Sequence, residues 1–173
     1  MSLEQELVLI KNAQAGDRQA LSQLWDFITP KLFGYLVNTL KDKALAEDIL
    51  QTTWLKAIKA LPGFKSQGIS ISAWLFAIAR NECKQHWRKD TREDALNENL
   101  HDAPNTDGQQ TEQNILIEQM LAKLSPEDQE LIRLRYISDL SIKDIAKVLN
   151  INLIAVRVRL HRAISKARTA IKS

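Results

Sequence analysis

The sequence predicts an all-α protein built as two helical modules joined by a flexible tether. Three observations predict this. Apolar residues recur at three- and four-residue intervals along most of the chain, and β-branched alternation is absent. Only five Gly and four Pro occur in 173 residues, and 45% of the side chains are hydrophobic, enough for real cores. Between the two periodic regions lies a stretch of different character. From Asp90 to residue 111 the acids Asp90, Glu93, Asp94, Glu98, Asp102 and Asp107 face one base, Arg92, and Pro104 and Gly108 interrupt it. Such a composition buries no core and reads as an acidic linker over 91–111. The first module then spans 1–90 and the second 112–173.

The elements follow in order. Leu3, Leu7, Ile10 and Ala13 make one helical stripe that ends at Gly16, and Asp17 is placed to cap the next helix. Ala20, Leu21, Leu24, Trp25 and Ile28 line up there. Thr29-Pro30 reads as a break, because Pro suits the first turn of a new helix, which would carry Leu32, Phe33, Leu36, Val37 and Leu40. Lys41-Asp42-Lys43 precedes a helix from about Ala44 to Leu61, with Ala46, Ile49, Leu50, Thr53, Ala57, Ile58 and Leu61 inward and Glu47, Asp48, Gln51 and Lys56 outward. Pro62-Gly63 stops it. A polar loop, Phe64 to Ser70, leads to a helix from about Ser72 to Lys89. Trp74, Leu75, Ile78 and Ala79 face inward. Its far end gathers Arg80, Asn81, Lys84, Gln85, His86, Trp87, Arg88 and Lys89, the mixture of cations, amides and an aromatic that nucleic-acid contact requires. Trp25, Trp54, Trp74 and Trp87 are expected in the core.

In the second module Ile115, Ile117, Met120, Leu121 and Leu124 predict one helix. Ser125-Pro126-Glu127-Asp128 is a helix start, with a cap, Pro at the first position and acids in the first turn. Ser141 caps a short helix carrying Ile142, Ile145, Ala146, Val148 and Leu149. Asn150 tolerates the left-handed conformation of a tight exit, and Asn152 caps the last helix. There Val156, Leu160 and Ile164 fall four apart. Arg157 and His161 form another face, which Arg159, Arg162 and Lys166 extend. Two helices, a tight turn and a basic second helix predict a helix-turn-helix that binds DNA. No Asp or Glu follows Asp144, whereas Lys147, Arg157, Arg159, Arg162, Lys166, Arg168 and Lys172 all do. A polyanion is attracted to that end, although the net charge is only +3.

Other classes are disfavoured. There is no Gly-rich phosphate loop and no histidine paired with a nucleophile, so no catalytic residues and no cofactor are expected. Cys83 and His86 share a helical face, but two ligands do not make a metal site. The single cysteine excludes an internal disulfide framework and fits a reducing cytoplasm. No apolar run approaches membrane-spanning length, and the N-terminal Glu4 and Glu6 do not suit a signal peptide.

Several motifs taken together carry a family likeness. They are A-Q-A-G-D at Ala13–Asp17, A-E-D-I-L-Q-T-T-W-L-K-A at Ala46–Ala57 and S-A-W-L-F-A-I-A-R-N at Ser72–Asn81. In the second module they are L-S-P-E-D-Q-E-L-I-R-L-R-Y at Leu124–Tyr136 and the helix-turn-helix ending R-L-H-R-A at Ala163. In order and spacing the chain resembles bacterial RNA polymerase sigma factors of the extracytoplasmic-function group of the sigma-70 family. The resemblance implies that the first module is region 2. Glu47, Asp48 and Gln51 would dock on the clamp helices of the largest subunit of core RNA polymerase. Phe64, Lys65, Ser66 and Gln67, with Asn81, Lys84, Gln85 and Arg88, would read and open the −10 element of promoter DNA. The second module would be region 4, which meets the polymerase flap. Asn152, Ala155, Arg157, Val158, Arg159, His161, Arg162 and Lys166 would read the −35 element. An anti-sigma factor is the further partner implied. Val158 stands where the family commonly has a small polar residue, Gln85 where it has Asp, and Asn150 where it has Gly. These departures bear on promoter choice. The alternatives are a stand-alone helix-turn-helix regulator and a pure protein-binding module.

Overall fold

The computed structural model describes residues 3–94 and 121–172. Its helices are α1 (Leu3–Gln14), α2 (Arg18–Leu40), α3 (Lys43–Ala60), α4 (Ile71–Asp94), α5 (Pro126–Ile132), α6 (Ile142–Leu149) and α7 (Leu153–Lys172). A 3-10 turn, Leu61–Gly63, follows α3, and a π-helical turn, Arg133–Ile137, follows α5. No strand occurs among the described residues. The tether expected at 91–111 lies outside them apart from its first residues, as do Ile115, Ile117 and Met120.

Side-chain caps set most boundaries. Asp17 Oδ1 accepts the amides of Gln19 and Ala20 at 2.8 and 3.2 Å. Lys41 closes α2 in the left-handed conformation, and Asp42 accepts the Leu45 amide to open α3. Ser125 and Ser141 cap α5 and α6, each accepting the amide three residues on. Such a cap stabilises a helix by about 1 kcal/mol.

Two expectations about elements are corrected. Thr29-Pro30 is not a break, because α2 runs through it with Pro30 inside. Pro30 is exposed, and its flanks Ile28 and Leu32 are buried, so packing on both sides outweighs the missing backbone donor. Helix α4 also continues past Lys89 to Asp94. His86 Nε2 meets Asp90 Oδ2 at 3.0 Å, and Thr91 Oγ1 donates to the Trp87 carbonyl, so the acidic residues begin as helix surface.

The first four helices enclose Leu24, Ile28, Leu32, Leu36, Ala46, Trp54, Leu75, Phe76 and Ala79. Trp54 donates its indole N–H to Thr29 Oγ1 at 3.1 Å, and Trp25 stacks on it at 4.6 Å between ring centroids while remaining partly exposed. Cys83 is buried, and burial pushes its thiol up to about 12, so it stays a neutral core group. Ile58, expected inside, is 41% exposed, because Trp54 and Ala57 take the inward face of α3.

The helix-turn-helix is not a separate body. Leu131, Leu134, Leu140, Ile145, Val148 and Val156 belong to the same continuous core as α1–α4. The π turn brings Ile137 against α2 at Gly34, where an added Cβ would lie 3.4 Å from Ile137 Cγ2. Polar contacts ring this junction. Glu130 Oε1 accepts from Arg80 Nε at 2.5 Å and Oε2 from Arg80 Nη2 at 3.0 Å, while Tyr35 donates its hydroxyl to Oε1 at 3.3 Å. Burial, with the Glu130 charge adding to it, pushes the Tyr35 hydroxyl far above its ordinary value and keeps it a donor. The Glu130 hydrogen bonds raise Arg80 as well. Lys31 meets Asp139 at 3.1 Å on the exposed rim.

Candidate nucleic-acid interface

The helix-turn-helix is assembled from short-range signals. Ser141 Oγ accepts the Asp144 amide at 3.1 Å and donates its hydroxyl to Asp144 Oδ2 at 2.8 Å, so a single side-chain cap opens α6. Asn150 then adopts φ 54°, ψ 46°, and its N–H closes on the carbonyls of Ala146 and Lys147. Asn152 Oδ1 accepts the Ala155 amide at 2.6 Å, so Asn152 starts α7. Val156, Leu160, Ala163 and Ala167 are buried and fix the roll of α7.

That roll decides what faces outward. Arg157, Val158, Arg159, His161 and Arg162 are all exposed, with Ala155 between the core and the surface. Ile154, which the sequence reading left out, is at 70% the most exposed large apolar side chain among the described residues of this helix, and Val158 is at 43%. Their spacing relative to Arg157 and His161 was the available signal: residues 154, 157, 158 and 161 share one face. Lys166 reaches back to Asp128 at 2.9 Å and ties α7 to α5.

A second polar surface is built on α4 and the loop before it. Asn81, Lys84, Gln85 and Arg88 are exposed and fall on one face at helical spacing. Trp87, expected in the core, is 45% exposed, because the inward positions of this turn are filled by Glu82 and Cys83. Glu82 is buried but paired with Lys56 Nζ at 2.6 Å. In the loop, Lys65 and Gln67 are exposed and Ser66 is half-buried. Ser66 Oγ donates to the Ile69 carbonyl at 3.0 Å, and Gln67 and Gly68 take positive φ values of 31° and 78° to make the turn. Phe64 does not face outward with them: it is 9% exposed and stacks on Trp74 at 4.6 Å, anchoring the loop to α4.

The N-terminus of α4 is the meeting point of three segments. Ser70 Oγ accepts the Ala73 amide at 3.0 Å, Glu6 of α1 accepts the Ile71 amide at 2.7 Å, and Asp144 of α6 accepts the Ser70 amide at 3.2 Å. Carboxylates are favoured at a helix N-terminus. Asp144 thereby joins the helix-turn-helix to the loop of the other polar surface.

A third surface lies on α3. Glu47, Asp48 and Gln51 are exposed along one stripe, and Leu55, 55% exposed, continues it. The polar end of this stripe is acidic, opposite in sign to the α7 surface. Among the described residues no group of three or more metal-binding side chains occurs, and no helix is long and apolar enough to cross a membrane.

Comparison with known proteins matches two stretches of the chain to family models. Sigma-70 region 2 matches residues 28–93, and Sigma-70 region 4 matches residues 114–166. The chain is 29% identical to the extracytoplasmic-function RNA polymerase sigma factor BldN of Streptomyces coelicolor over 163 residues. That match covers 90% of this chain and 62% of BldN. It is 27% identical to the RNA polymerase sigma factor YlaC of Bacillus subtilis, covering 84% of this chain and 88% of YlaC. Among solved structures it is similar to the sigma factor RpoE in complex with the anti-sigma factor NepR from Bartonella quintana. The TM-score is 0.71 at 25% identity, covering 88% of this chain and 96% of RpoE.

Proposed function

The chain belongs to the extracytoplasmic-function group of the sigma-70 family, and from that premise we propose how its three surfaces direct RNA polymerase to promoters. The acidic stripe Glu47, Asp48 and Gln51, with Leu55, docks on the polymerase clamp. The exposed face of α7 reads the −35 element in the major groove, and Asn152 and Lys166 position that helix. Lys65, Ser66, Gln67, Asn81, Lys84, Gln85 and Arg88 engage the −10 element, with Phe64 as the anchor of the reading loop. Each base pulled out of the stack costs a few kcal/mol, which contacts to the extruded base can offset. The chain is read as non-catalytic, with the polymerase supplying the chemistry, and as working in the cytoplasm. RpoE is held by an anti-sigma factor in its complex, and a partner of that kind is read for this chain too.

The observation that carries this reading is the presence of two separate exposed polar faces, on α4 and on α7, in one chain. Neither interface is large alone, but mounting both on one polymerase makes the second contact effectively intramolecular. The docked arrangement must open for this. By their names the two elements lie about 25 base pairs apart, roughly 85 Å at 3.4 Å per step. A chain of this length packed around one core is only about 40 Å across.

An electrophoretic shift on promoter DNA with core polymerase present and absent tests the proposal. A specific shift only with core is expected. A specific shift by the chain alone, with no change on adding core, would instead make it a stand-alone helix-turn-helix regulator.

A further inference from the structure

We propose that Ile154 and Val158 form an apolar pair that reads the 5-methyl groups of thymines in the upstream promoter element. This rests on the reading of α7 as the −35 helix. The two side chains are 70% and 43% exposed, while Val156, Leu160 and Ala163 on the opposite face are buried. The helix therefore cannot roll to hide them. They are flanked by the exposed Arg157, His161 and Arg162, and no acidic residue follows Asp144. An apolar pair set among cations fits a groove with anionic walls and apolar points on its floor. In B-DNA the thymine methyl is the one apolar group displayed in the major groove.

Position and stiffness agree with this. Ile154 is the second residue of α7, and a recognition helix contacts base edges with its N-terminal residues. Two β-branched side chains on a helix are held in essentially one χ1 rotamer, so little side-chain freedom is lost on contact. Four residues advance about 6 Å along a helix. A recognition helix lies along the groove, oblique to the DNA axis, and residues three or four apart on it meet successive bases, so the pair suits two thymines on neighbouring base pairs.

The test is promoter selection by holoenzyme containing the full chain. It uses two copies of one library randomised upstream of a fixed −10 region, one made with thymine and one with deoxyuracil. The two differ only by the methyl group. Wild-type holoenzyme should enrich thymine at defined upstream positions and lose about fourfold in affinity per methyl removed. Ile154→Ala and Val158→Ala each remove apolar surface at an exposed position without lowering helix propensity. Each should erase the thymine-over-uracil preference at one position while the rest of the element is still selected. If wild type selects the same upstream element equally well in both libraries, the methyl pair is refuted and the −35 reading stands. No upstream selection in either library would overturn both. Variants that keep the full methyl preference refute the pair. So does a loss of binding to an anti-sigma protein with methyl preference intact, which would make the patch a protein contact.

Discussion

Arg157 is exposed on the face of α7 that also carries Ile154, Val158 and His161. Its guanidinium can meet a guanine edge in two places or a phosphate in one. Arg157→Ala should weaken holoenzyme binding to its promoter by about 1–3 kcal/mol if it reads a base, with specificity relaxed at one position. A phosphate contact would instead give a sequence-independent loss. Binding curves on single-base promoter variants distinguish the two, and unchanged binding on all of them counts against the placement of α7. Asp48 supplies the opposite case, an exposed acid on a helix whose buried face is complete without it. Asp48→Arg should leave the circular dichroism spectrum intact and abolish co-purification with core polymerase. Retention of the polymerase on an affinity column by that variant would exclude α3 as the docking surface.

At the scale of the element, caps were the legible part. Asp17, Ser125, Ser141 and Asn152 each bond amides two or three residues onward as their place in the sequence implied. Asn150 likewise adopts the left-handed exit its place implied, donating its own N–H back to the carbonyls of Ala146 and Lys147. These are contacts within a few residues, and the sequence displays them directly. Pro30 was misread because its rule is local while its environment is not. Helix α2 persists through it because its own flanking residues, Ile28 and Leu32, are buried in the tertiary core. A proline inside a helix costs about 3 kcal/mol in propensity, partly offset by its stiffness in the unfolded chain. Pro30→Ala should therefore raise the midpoint of thermal unfolding, by the equivalent of roughly 2 kcal/mol. A lowered midpoint would mean that the ring itself packs where the exposed surface says it does not. Trp87 and Ile58 show the same limit. Each lies on an apolar rhythm, but Cys83, Trp54 and Ala57 fill the inward positions first.

Across the whole molecule, the docking of the helix-turn-helix on the first four helices was not legible. Arg80, Tyr35 and Glu130 are separated by tens of residues, and no periodicity links them. Nor did the loop sequence reveal that Asp144 would take the Ser70 amide. That contact places the two polar surfaces in one closed unit, and promoter engagement requires their separation. Glu130→Ala removes three hydrogen bonds at the junction. Bonds of this charged type contribute about 1.5–3 kcal/mol each at most, and less where water replaces the partner. The variant should show a larger radius of gyration by small-angle scattering, with each module still helical. An unchanged radius would mean that the apolar contacts alone hold the modules together. The central claim is promoter-directed initiation, and run-off transcription with purified core polymerase tests it most directly. With the chain added, transcripts should start at one fixed distance downstream of a −35/−10 pair, and core alone should give none from that site. Starts scattered without regard to sequence, or the same starts with and without the chain, would contradict it.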